Sequence, residues 1–102
     1  MVESLEVEEE EDEEDEEAEE LETQAFMMMK GAKQGDAEAQ CNLGACYAIG
    51  RGVEQDPEKA VEWFTKSAEQ GNAEAQRNLG ACYSDGTGVQ KDSAKAVEWV
   101  TK

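Results

Sequence analysis

From Asp36 onward, small and apolar side chains recur every three or four positions, the spacing that stacks them along one side of an α-helix. At about 100° per residue, Ala39, Leu43, Cys46 and Tyr47 share one face of a first helix, helix A. Glu38, Cys41, Ala45 and Ala48 fall on the opposite, outward face. In a second helix, helix B, Ala60, Trp63, Phe64 and Ala68 share a face. Glu62 and Lys66 lie across from them, four apart and acid first, the better orientation for a helical pair. Asp36 can cap helix A and Asp56 helix B, each offering a side-chain oxygen to free backbone N–H groups. Pro57 fits the first turn of helix B, where a missing N–H costs nothing. "GRGV" lets the chain reverse between the helices, and Gly71 after "KSAEQ" closes the second.

This two-helix pattern occurs twice. A shift of 36 residues lays Gly35–Lys66 on Gly71–Lys102, with 22 of 32 positions identical. Asn72 takes the place of Asp36, and Asp92 with Ser93 the place of Asp56 and Pro57. Cys41 becomes Arg77 and Ala48 becomes Ser84, both at positions read as outward. The inward Leu, Cys, Tyr and Trp are kept. "LGACY" is thus repeated core: Leu43 and Leu79 fill space, Gly44 and Gly80 admit a neighbouring helix, and Cys46 and Cys82 act as small apolar residues. A fixed period of this size predicts an all-α fold, an α/α superhelical solenoid whose units bury their apolar faces on one another. Five helices in a right-handed stack are expected from about Glu22 onward, and no strand. The expected organisation is an acidic disordered tail over 1–22, a partial repeat or capping helix over 23–34, repeat one over 35–70 and repeat two over 71–102. "FMMM" offers either an adaptable apolar binding patch or helix packing; Met27 and Met28 align with Trp63 and Phe64, which favours packing. Repeat two stops before any equivalent of "SAEQG", leaving Trp99 on a terminal helix with no unit to cover it. The chain is therefore expected to be marginally stable, self-associated through the C-terminal repeat, or a fragment of a longer array.

The shared pattern "AEAQxNLGxxYxxGxGVxxDxxKAVEWxxK" resembles the SEL-one-like repeat (SLR), a relative of the tetratricopeptide repeat. "KGAKQG" at Lys30–Gly35 resembles the end of a preceding unit. The resemblance implies a protein–protein interaction scaffold or adaptor that is not an enzyme. A cysteine-rich branch of the family has a disulfide in each unit and is credited with β-lactamase activity, which gives the alternative reading of a fragment of such an array. Its half-cystine positions correspond here to Ala32 and Gln40, and to Ala68 and Gln76, none of them cysteine.

Charge and chemistry narrow the picture. Fifteen acidic residues and no basic one lie between Met1 and Thr23, leaving 11 acidic and all 9 basic residues in the other 79. Such a run cannot bury enough apolar surface to order itself; it reads as a solubilising leader or as a counter-charge for a basic partner. There is no basic start and long apolar stretch of a secretory signal, and "AFMMM" is too short to cross a membrane. A cytoplasmic or nuclear location without membrane insertion is expected. Three cysteines make a poor disulfide framework, so three free thiols are expected, with Cys41 reacting first. The chain has no histidine, no Cys-x-x-Cys and no phosphate loop, so no metal, cofactor or catalytic residue is predicted.

Helix A lines the concave side of SLR solenoids, an implication of the resemblance. The candidate partner-binding residues are therefore Glu38, Cys41, Asn42, Ala45 and Ala48, continued by Glu74, Arg77, Asn78, Ala81 and Ser84. Small and amide side chains leave room for a peptide or protein and can hydrogen-bond its backbone. Without a Lys/Arg cluster, nucleic acid is not an expected partner.

Overall fold

The computed structural model describes residues 19–101. The expectations for most of the acidic tail fall outside the described residues. Five helices follow one another: α1 over residues 19–33, α2 over Ala37–Ile49, α3 over Pro57–Glu69, α4 over Ala73–Asp85 and α5 over Ser93–Val100. No described residue is in a strand.

Helices α2 to α5 each start where a cap residue stands. Asp36 accepts from the Glu38 and Ala39 N–H groups, and Asn72 from that of Ala75. Asp56 and Asp92 accept from the N–H of Lys59 and Lys95. Helices α2 and α4 end at Gly50 and Gly86, both left-handed, which return their N–H groups to Cys46 O and Cys82 O. The turn is then pinned when Asp56 N–H and Asp92 N–H reach back to Tyr47 O and Tyr83 O, both at 2.9 Å.

The 36-residue period extends to tertiary contacts. Gly52 packs on the Leu21 carbonyl as Gly88 packs on that of Pro57, positions where any side chain would collide with backbone. The Gln40 amide donates to Ala32 O at 3.0 Å, and the Gln76 amide to Ala68 O at 3.1 Å. These are the pairs the resemblance aligns with half-cystines; here a side-chain hydrogen bond joins the two helices. Helix α1 therefore occupies the place of helix B in a preceding unit. It already covers residues 19–22, which the sequence reading assigned to the tail. The physical reason is that Leu21 and the buried Ala25 lie beneath the repeat-one turn at Gly52.

The core is made of short side chains. Leu43 and Leu79 are fully buried, joined by Val61, Phe64 and buried alanines at 25, 32, 60, 68, 75 and 96. Close approach at the glycines makes this possible: a Cβ on Gly44 would lie 2.7 Å from the Phe64 ring. Ser67 is buried while its hydroxyl donates to Ala37 O at 2.6 Å, tying α3 to the start of α2.

Three sequence expectations are corrected. Cys41, read as outward, is 2% exposed, because α2 is covered on two sides: α1 and α3 on one, α4 on the other. Trp63, read as inward, is half-buried with Lys66 Nζ over its ring at 4.8 Å, and Val61 takes the buried place. Trp99 is half-buried and packs against the core, whereas Val97 and Val100 beside it are exposed.

Candidate interaction surface

Of the ten candidate residues, α2 supplies five and α4 the equivalent five. Glu38, Asn42, Glu74, Arg77, Ala81 and Ser84 are exposed, and Ala45, Ala48 and Asn78 half-buried. Cys41 is buried against α4, with Glu74 and Asn78 beside its thiol, so it lies under the face rather than on it. The two asparagines differ accordingly. Asn78 is turned toward Cys41, and Asn42 faces solvent.

Asn42 and Ala45 line a cleft of about 300 Å³ between α1 and α2. Its other walls include Met28, Cys46, the exposed Ile49 and Arg51. The Cys46 thiol points at Met28 Sδ, 3.7 Å away, so the floor is soft and apolar while Gln24, Asn42 and Arg51 supply polar groups at the rim. Sequence reasoning weighed Met28 as part of an apolar patch and set it aside as packing, and it missed Ile49 and Arg51. The available signal was the alignment of Met28 with Phe64: a flexible thioether stands where the next unit has a rigid ring.

The thiols are not set up for nucleophilic chemistry. All three are free. Burial pushes each above its ordinary range; the Glu74 carboxylate adds to this at Cys41, and that of Asp85 at Cys82. A thiol held in its neutral form is a weak nucleophile and a poor metal ligand. Among the described residues no three His, Cys, Asp or Glu side chains come together as a metal site. No described helix is long and apolar enough to cross a membrane.

The Sel1 repeat family matches the chain over residues 37–72 and 73–102. No curated protein matches it. Among solved structures, a protective antigen present in uropathogenic Escherichia coli strains, displaying an SLR fold, is 40% identical with a TM-score of 0.73. The match covers 74% of this chain and 16% of that one. A Sel1 repeat protein from Oxalobacter formigenes is 38% identical with a TM-score of 0.76, over 78% of this chain and 23% of that one. The chain thus spans less than a quarter of the length of either.

Proposed function

The chain belongs to the Sel1 repeat family, and from that premise we propose that it is a non-enzymatic adaptor that binds a peptide or protein segment across α2 and α4. Sel1 repeats generally mediate protein–protein interactions. The observation that carries the finer reading is the cleft at Asn42. It has the size and lining for one medium apolar side chain, with amide and guanidinium groups at its rim to hold the adjoining backbone. Exposed small residues on α4, Ala81 and Ser84, leave space for the segment to continue. The acidic run over residues 1–18 favours basic partners and repels nucleic acid and anionic surfaces.

The test is selection from a displayed peptide library on the full chain, followed by variants. Asn42→Trp fills the cleft mouth and is expected to weaken selected peptides at least about tenfold, the cost of losing one buried anchor. Circular dichroism should be unchanged. Selected peptides that bind the Asn42→Trp and Ser84→Trp variants as tightly as the parent would remove the assignment.

A further inference from the structure

On α1, Glu19, Glu22, Thr23 and Phe26 border a shallow hollow of about 340 Å³. Phe26 is 62% exposed. A shift of 36 residues lays this strip on Gln55, Glu58, Lys59 and Glu62 of α3, and a second shift on Lys91, Ala94, Lys95 and Glu98 of α5. All of these are exposed. Helix α3 packs against both α2 and α4, so the strip faces solvent in a fully flanked unit too. The exposure of Phe26 therefore belongs to its position and not to the lack of a neighbouring unit. What sets α1 apart is chemistry. Its strip has two acids, no base and a ring, whereas that of α3 has two acids and one base, and that of α5 one acid and two bases. Phenylalanine stands where both other units have glutamate. Lys59, Lys66 and Lys95 lie over the rings of Tyr47, Trp63 and Tyr83 at 5.5, 4.8 and 5.5 Å. Among the described residues no cation lies over the Phe26 ring.

We infer that this face of α1 is a docking site for an arginine-bearing segment of a protein partner, the guanidinium lying on the Phe26 ring with the Glu22 and Glu19 carboxylates beside it. Glu22 and Glu19 stand four and seven residues before Phe26, one and two turns along the same face. The ring supplies a flat apolar surface and the carboxylates supply charge; arginine is the side chain that uses both. Charge complementarity selects the partner further. Residues 1–23 hold 15 acidic residues and no basic one, so a basic segment is drawn to this end of the chain and an anionic one repelled. The site shares no residue with the cleft at Asn42, to which α1 presents Leu21, Gln24, Ala25 and Met28. It therefore stands whether or not that cleft takes a peptide.

The probe is an acetylated and amidated peptide of four Gly-Arg units, titrated into the full chain at about 0.15 M salt. Saturable shifts of the Phe26 ring resonances are expected, with those of the buried Phe64 ring unmoved. The deciding variant is Phe26→Glu, which gives α1 the residue of the other two units, with affinity read by calorimetry. Added negative charge alone would tighten binding; loss of the ring is expected to weaken it about threefold. Circular dichroism should be unchanged, because the position is exposed. Phe26→Tyr should bind like the parent, and the double variant Glu19→Gln/Glu22→Gln about threefold more weakly. Asn42→Trp should have no effect. An unmoved Phe26 ring overturns the inference. So does a Phe26→Glu chain that binds as tightly as the parent or more tightly, which assigns the peptide to the acidic run. Binding lost in Asn42→Trp but kept in Phe26→Glu overturns it in favour of the cleft. Phe26 shifts that grow with chain concentration in the absence of the peptide overturn it too, assigning the face to a second copy of this chain.

Discussion

Cys41, Cys46 and Cys82 separate by burial rather than by position in the sequence. Cys41 and Cys46 are 2% and 6% exposed, while Cys82 is half-buried at the edge of the core cluster. Under native conditions Cys82 is expected to be alkylated first, with Cys41 and Cys46 following only as the chain opens; mass spectrometry of the digested protein gives the order. Equal rates would contradict the packing. The raised thiol pKa values also fix a pH dependence. A neutral thiol favoured by the fold contributes stability that is fully present below its unfolded pKa, about 8.5, and is lost as pH rises through the higher folded value. The melting temperature should therefore fall above about pH 8.5. It should fall less in a Cys41→Ala/Cys46→Ala chain, measured by thermal melts at matched salt.

At the scale of helices, the joints are made by glycines and glutamines. An alanine at Gly44 would drive a methyl into the Phe64 ring, with the Ala60 carbonyl 3.2 Å away. Overpacking of this kind costs about 1–3 kcal/mol. Gly80→Ala meets a Val100 methyl on the exposed last turn, which can move aside, so its cost should be smaller. Gln40 is buried and makes two bonds, donating to Ala32 O and accepting from the Gln70 amide at 2.8 Å. Gln76 is half-buried and donates one. Gln40→Ala strands more buried polar atoms and should cost about 1–3 kcal/mol, with Gln76→Ala nearer the lower limit. Urea midpoints at constant slope measure both comparisons.

For the whole molecule, the core is a thin layer of alanines with few large side chains, so each unit depends on its neighbours. One cooperative transition below about 65 °C is expected by calorimetry. Leu79→Ala, at the fully buried joint between units, should cost about 2–5 kcal/mol and lower the whole transition rather than split it. On the function proposed above, the acidic run would act at longer range. Deleting residues 1–18 should leave the melt in place and slow association with a basic peptide at about 0.1 M salt. That difference should vanish near about 1 M, where the Debye length has shrunk from about 10 Å to about 3 Å. Stopped-flow rates at the two salts decide it.

The caps, the turns, the helix count and the two-unit period were legible because they rest on local rules: a side-chain acceptor before a helix, a left-handed glycine after it, an apolar return every three or four residues. The glycine contacts at Gly44 and Gly80 were legible too, since the repeat kept a residue whose only advantage is its size. A single helical wheel divides a helix into one inside and one outside, whereas a solenoid helix has neighbours on two sides. Only the stacking of α4 on α2 placed Cys41 inside, turned Asn78 toward it and left Asn42 free. The cleft likewise depended on three segments meeting: Met28 from α1, Cys46 and Ile49 from α2, and Arg51 from the turn. Sequence determined the unit and its period; which face of each unit is covered was decided by what stands next to it, because burial is a property of neighbours.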